Sequence, residues 1–345
     1  MKTDISQLTF IELLPETKEF DPIFFKLIDD FVYLPKVSPE LIKAIDLEET
    51  EHQFELIEDC EEPKKEEFEL IDGPNIVKVN ANQNIQAMLD LPFDKARWWK
   101  MAIEGFPNNM RGEIWSSLIS PENRNLKGRY IALLNKKPIV SLHPMELDVK
   151  RTFSFIPKFT ESQENRLYNV LKAYSLYDPE VGYCQGMSYL AGVLLLYIHD
   201  EAIAFCLLAD FMQKFHWRNL YIKEMPKLVE MINNLKKGIQ ERLPDLYKHF
   251  NKCEVNLFGV FSHLFLTIYT YAIPFDFGIR IFELFLIAGE KVLIECTMTI
   301  LTIMKKRIMQ HSILDVHEYM KKNMIKECYM KYGAESMIKM FSDLN

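Results

Sequence analysis

The spacing of apolar residues beyond Leu91 limits what this chain can fold into more than any other feature. Between Glu164 and Tyr177, Leu167, Val170, Leu171 and Tyr174 fall at i, i+3, i+4 and i+7, the one-face pattern of an amphipathic helix. The period returns downstream together with the residues that start and stop helices. Asp200 stands as an N-cap before EAIAFCLLADFMQKF, and Pro226 opens KLVEMINNLKKGI. Pro274 separates LFGVFSHLFLTIYTY from DFGIRIFELFL, which Gly289 ends before KVLIECTMTILTIMKKRI begins. Strand-like alternation is missing from residues 95–345, and 12 glycines in 345 residues disfavour turn-dense all-β folds. The expected fold class is all-α: one irregular multi-helix domain over residues 91–325, without the fixed period of a solenoid, followed by a C-terminal helix over 326–345.

Charge sets residues 1–90 apart as an acidic N-terminal extension. Residues 1–75 carry 21 acidic against 7 basic side chains, a net −14 that leaves +6 for residues 76–345. The acidic stretch is not low-complexity. DPIFFKLIDDFVYL, Asp21 to Leu34, holds two apolar clusters and reads as a short helix or a docking segment. FELIED from Phe54 is echoed 14 residues later by FELIDG from Phe68, across an EEPKKEE spacer. Two arms of a hairpin with Pro63 in the connection would look like this. So would two copies of a peptide-docking motif suited to strand addition on a partner's sheet edge.

Several function classes are excluded. A net charge of −8 argues against nucleic-acid coating, which wants a clustered basic excess. The acidic N-terminus does not resemble a secretory or mitochondrial leader, and the longest apolar segments fall short of the ~20 residues a bilayer span requires, so a cytoplasmic protein without a transmembrane segment is expected. The six cysteines lie scattered without a C-x-x-C pair and read as reduced core residues. His311 and His317 are six apart, off the i, i+4 spacing that lets two rings share a helical face, so no metal site is expected. Neither G-x-x-x-x-G-K-[ST] nor G-x-G-x-x-G occurs, so the chain is expected to bind no nucleotide by those loops. Cys184 has no identifiable histidine partner and reads as a buried small residue rather than a nucleophile.

Three polar segments framed by aromatics or glycines remain: GFPNNMRGEIW (Gly105–Trp115), MELDVKRTF (Met145–Phe153) and VGYCQGMSYLAG (Val181–Gly192). Asp148 and Arg151, three apart, would sit side by side on a helix, the carboxylate holding the guanidinium in one orientation, or else forming an ordinary surface ion pair. Gly182 and Gly186 bracket Tyr183 and Gln185, which implies a tight turn that either displays a glutamine before an apolar helix or simply caps that helix.

In this order the three segments resemble the TBC domain of GTPase-activating proteins for Rab-family small GTPases. The family's I-x-x-D-x-x-R reads here M-E-L-D-V-K-R, its Y-x-Q reads Tyr183-Cys184-Gln185, and its G-I-P-x-x-L-R-G-x-x-W keeps Arg111, Gly112 and Trp115. LFLTIYTYAIPFDFGIRIFELFLIAGEKVL is similar to a fourth family stretch. There Arg280, Gly289 and Lys291 match, while Leu264 and Phe282 replace tryptophans, Glu283 replaces Asp and Ala288 stands where Glu is frequent.

The resemblance covers roughly residues 95–320 and implies a Rab GTPase-activating protein that works through trans-acting arginine and glutamine fingers in vesicle traffic, peripheral to endomembranes through its Rab partner. It assigns Arg151 to the phosphates of the partner's GTP and Gln185 to orienting the water. Asp148 is assigned to orienting Arg151, Tyr183 to buttressing the site or touching the switch regions, and Gly186 to the turn beside Gln185. Arg111 is implied to pair with a carboxylate inside the scaffold. GTP and Mg²⁺ are carried by the partner, so the chain needs no cofactor of its own. The alternative is a TBC scaffold that binds a Rab as effector or adaptor without turnover.

Overall fold

The computed structural model describes residues 93–137, 143–154, 156, 159–271 and 273–342, together with Leu89. The Asp21–Leu34 segment and both FELI segments lie outside the described residues. Every regular element among the described residues is helical.

The first of them, α1 (Lys95–Glu104), begins where the Asp94 side chain accepts from Arg97 N at 2.7 Å and stops at Gly105. Four short helices follow: α2 (Arg111–Ser117), α3 (Pro121–Arg124), α4 (Leu126–Leu134) and α5 (His143–Arg151). Helix α6 (Glu161–Tyr177) starts three residues before the stretch the apolar period marked, with Glu161 and Glu164 in its first turn at the positive end of the helix dipole. Its buried side includes Leu167, Val170, Leu171 and Tyr174, as the spacing requires.

Helix α7 (Met187–Tyr197) is buried continuously from Met187 to Leu195. A helix apolar on all sides has no solvent face and must be enclosed. Helices α5, α6, α8 (Glu201–Lys214) and α2 all pack against it. Asp200 caps α8, its carboxylate accepting from Ala202 N at 2.9 Å and Ile203 N at 3.2 Å. A 3₁₀ turn (Trp217–Leu220) leads to α9 (Pro226–Arg242), which opens on its proline, then α10 (Pro244–Lys252) and α11 (Leu257–Leu266). Pro274 caps α12 (Phe275–Ala288), Gly289 ends it, and α13 (Lys291–Ile308) follows.

The chain closes with α14 (Val316–Glu318), a π-helical turn (Tyr319–Asn323) and α15 (Met324–Ser342), which kinks at Gly333. Helix α15 packs on α12 and α13 and buries Cys328, Met337, Ile338 and Phe341. Cys184, Cys206, Cys253, Cys296 and Cys328 are free thiols, all buried; Cys60 lies outside the described residues. No described helix is long and apolar enough to cross a membrane.

Arg111 of α2 ties the two ends of this domain together. Its Nε donates to Glu283 Oε1 of α12 at 2.6 Å, and the Glu283 side chain is fully buried. Arg280, one turn earlier on α12, stands 3.7 Å from the other carboxylate oxygen and donates through Nη2 to the Ala102 and Ile103 carbonyls at the end of α1. Burial, the largest single influence, would lower the Arg111 guanidinium, but the charges and hydrogen bonds of Glu283 and Tyr197 together outweigh it and hold the group above its ordinary value. Gly112, next in sequence, is there for space: a Cβ on it would lie 2.0 Å from the Tyr197 carbonyl oxygen at the end of α7.

Candidate functional site

Helix α5 ends on Arg151, where a cation meets the negative end of the helix dipole. The chain then turns sharply through Phe153, a residue in the left-handed region at φ 53°. Its buried ring packs edge-on against Phe159, Tyr189 and Phe275. Thr152 Oγ1 lies 2.7 Å from the Asp148 carbonyl and 2.8 Å from Ser188 Oγ, which stitches the end of α5 to the first turn of α7. The arginine therefore projects from a fixed point.

Asp148 sits one turn before Arg151, with its side chain 3% exposed against 28% for Arg151. Its Oδ1 accepts from Arg151 Nη2 and its Oδ2 from the Tyr183 hydroxyl. Burial pushes the Asp148 carboxyl above the ordinary carboxylate range, against the pull of Arg151 and Tyr183. For Arg151, burial is the largest single influence and lowers, but the charge and hydrogen bond of Asp148, helped by Tyr189 and Tyr183, together outweigh it, and the guanidinium stays protonated. The pair is thus not the ordinary surface contact worth ~0–1 kcal/mol. Removing one partner of such a buried pair costs ~3–5 kcal/mol, because the other charge is left uncompensated. Tyr183, itself buried, is the post that holds the carboxylate.

Gln185 follows in a turn that places both flanking glycines at positive φ, where side chains are disfavoured. Gly182 has φ 62° and Gly186 φ 95°, and Gly186 is the left-handed residue from which α7 begins. A Cβ on Gly186 would lie 3.5 Å from Leu266 at the end of α11, whose carbonyl accepts from the buried Tyr221 hydroxyl at 2.5 Å. The Gln185 side chain is buried, and its Nε2 has no hydrogen-bond partner among the described residues. An unmet buried donor costs ~1–3 kcal/mol, which favours any ligand that supplies an acceptor there.

Asp148, Arg151, Gln185 and Gly186 line one cleft, with His263, Leu266, Thr267 and Tyr271 as its far wall. Tyr183 stands behind it. Arg111 does not line it; that residue belongs to the α2–α12 clamp. Cys184, between Tyr183 and Gln185, is 1% exposed, and burial pushes its thiol up to about 12, so it stays protonated. Among the described residues no group of three or more His, Cys, Asp or Glu side chains could hold a metal. Sequence reasoning did not find Ser188 or His263 at this cleft: Ser188 sits inside a motif segment, but His263 lies in an apolar run far along the chain.

The cleft is lined from the second and third of the segments whose order along the chain suggested a family, and from the fourth stretch with His263 beside it, and residues 108–309 match the family model of the Rab-GTPase-TBC domain. The chain belongs to this family. Over 266 residues it is 31% identical to the GTPase-activating protein GYP5 of Eremothecium gossypii, covering 76% of this chain and 29% of that protein. It is 29% identical over 253 residues to the human Ecotropic viral integration site 5 protein homolog, covering 69% of this chain and 31% of that protein. It is 32% identical over 187 residues to the Rab GTPase-activating protein eat-17 of Caenorhabditis elegans, covering 54% and 21%. The chain spans less than a third of the length of these relatives. Two crystal structures share the fold. The Chlamydomonas flagellar RabGAP TBC domain has a TM-score of 0.65 at 20% identity, over 76% of this chain and 89% of that one. The Ypt/Rab-GAP domain of Gyp1p has a TM-score of 0.64 at 16% identity, over 76% and 96%. As a TBC domain, the helical architecture expected from apolar spacing is thus shown directly.

Proposed function

We propose that this chain accelerates GTP hydrolysis by a Rab-family small GTPase, supplying Arg151 and Gln185 in trans. The observation that carries the reading is the convergence on one cleft of a guanidinium held by Asp148 and Tyr183 and a glutamine amide with an unmet donor. Phosphoryl transfer asks for these two things: charge compensation at the phosphate oxygens and orientation of the attacking water. An arginine supplied in trans is worth about 10³–10⁵ in rate, or ~4–7 kcal/mol of barrier.

Each residue has a definable task. Arg151 offers a planar fork of donors that a lysine cannot reproduce, and its entropy of alignment is already spent in the contact with Asp148. Gln185 both donates and accepts, so its Oε1 can accept a hydrogen bond from the water while Nε2 is occupied elsewhere. Asp148 and Tyr183 act as positioning residues. The nucleotide and Mg²⁺ arrive with the partner GTPase, and the chain reaches endomembranes through that partner, acting in vesicle traffic.

The test is single-turnover GTP hydrolysis across a panel of GTP-loaded Rabs with wild type, Arg151→Ala and Gln185→Ala. Acceleration of one or a few Rabs that falls by two or more orders of magnitude in Arg151→Ala supports the reading. A tight complex with GTP-bound Rab and no acceleration by wild type would replace it with the adaptor reading.

A further inference from the structure

The far wall of the cleft carries a second polar group that the finger scheme does not use. His263 of α11 is buried, and its Nδ1 has no hydrogen-bond partner among the described residues. Gln185 Nε2, lining the same cleft, has none either. The two are chemically complementary, since an amide N–H only donates while a neutral imidazole offers one accepting nitrogen. Burial, assisted by the charge of Lys321 on the π-helical turn, pushes the His263 pKa down to about 3, so the ring is neutral and keeps that acceptor at neutral pH.

The other acceptors around the cleft are engaged. Both Asp148 oxygens already accept, from Arg151 and Tyr183, and the Leu266 carbonyl accepts from the Tyr221 hydroxyl. A glutamine amide is nearly symmetric in shape about its last torsion, so without an inner partner it presents Nε2 or Oε1 outward with little preference. Only Oε1 can accept a hydrogen bond from an attacking water. An acceptor on the inner wall breaks the symmetry.

We propose that His263 is a positioning residue for Gln185: its imidazole accepts a hydrogen bond from Gln185 Nε2 and so turns Oε1 toward the mouth of the cleft. Both side chains border the same cleft, and catalytic hydrogen bonds that are long in a free protein commonly tighten in the loaded complex. The inference rests on Gln185 being the glutamine finger, and its test separates the two.

The first measurement needs no GTPase. In the full chain labelled with ¹⁵N-glutamine, the Gln185 side-chain amide resonances, assigned by their loss in Gln185→Ala, are expected to move upfield in His263→Phe and to return part of the way in His263→Asn, which restores an acceptor. Resonances that stay in place in His263→Phe overturn the proposal. The second is a double-mutant cycle in stimulated GTP hydrolysis. His263→Phe is expected to lower the maximal rate about tenfold with little change in the half-saturating chain concentration, His263→Asn to recover part of it, and His263→Phe to cost nothing further in Gln185→Ala. Equal losses in both backgrounds overturn the positioning role, because a purely structural histidine would act regardless of Gln185. Should Arg151→Ala match wild type on every Rab, the finger reading fails, and the His263–Gln185 pairing is then decided by the resonances alone.

Discussion

Tyr183 and Asp148, 35 residues apart in sequence, share a buried hydrogen bond that makes the carboxylate a fixed bridge between the loop carrying Gln185 and the helix carrying Arg151. Neither finger is therefore placed independently. Moving Tyr183 moves Asp148, and Asp148 sets where Arg151 points.

Tyr183→Phe removes the donor and leaves Asp148 Oδ2 buried without a partner. The expected cost is ~1–3 kcal/mol of stability. A loss of stimulated GTP hydrolysis of about tenfold should accompany it, less than for Arg151→Ala, because the guanidinium remains but is worse oriented. Thermal unfolding beside single-turnover hydrolysis reads both. An unchanged rate in a destabilised protein would assign Tyr183 to the scaffold alone.

The buried Arg111–Glu283–Arg280 cluster gives an asymmetric pair of expectations. Arg111→Met leaves Glu283 still facing Arg280 at 3.7 Å. Glu283→Leu instead leaves two guanidinium groups buried together, and breaking such a site from one side costs ~3–5 kcal/mol. Glu283→Leu should thus lower the melting temperature more than Arg111→Met, and the double variant should recover part of the loss. The reverse order would mean that Arg280 is neutralised by another group.

How much of this was readable beforehand divides by sequence distance. The caps and breaks at Asp200, Pro226, Pro274 and Gly289 act within a turn or two, and each stands where the apolar spacing put it. The Asp148–Arg151 contact is likewise local. What spacing could not give are pairings across the fold: that the Arg111 partner is Glu283, 172 residues away, or that Tyr183 reaches Asp148 rather than the surface. His263 was invisible for a different reason. It sits among Phe261, Ser262, Leu264 and Phe265, a context that marks a packed helix and says nothing about which ring borders a cleft.

Two glycines should respond to alanine in opposite directions. At Gly112 the new Cβ would sit 2.0 Å from the Tyr197 carbonyl oxygen, so α2 and α7 must separate or the chain fails to fold. At Gly128, within α4, nothing lies within 4 Å, and alanine should stabilise by ~0.5–1 kcal/mol through helix propensity and a less flexible unfolded chain. Soluble expression and melting temperature distinguish the two. A stable Gly112→Ala with native melting would show that the α2–α7 contact is looser than described.

His263 should also leave a mark on the pH dependence of stability. Its folded pKa is about 3 against an ordinary 6.5, so between those values the unfolded chain holds a proton that the folded one does not. Stability from this group is then complete above the unfolded pKa and falls as pH drops through the window, by ~1.36 kcal/mol per pH unit well inside it. The charged groups around the ring are Lys321 on the π-helical turn and, across the cleft, Asp148 and Arg151. Asp148, raised by burial, contributes with the opposite sign near the ordinary carboxylate pKa, so the difference between wild type and His263→Gln is the clean quantity. Denaturation from about pH 8 to pH 5 should show wild type losing up to ~2 kcal/mol more than the variant, roughly four-fifths of it below about pH 6.5. Parallel curves across that range would mean that the ring is solvated enough to take its proton in the folded state, and the acceptor on the cleft's inner wall would then be lost in mild acid.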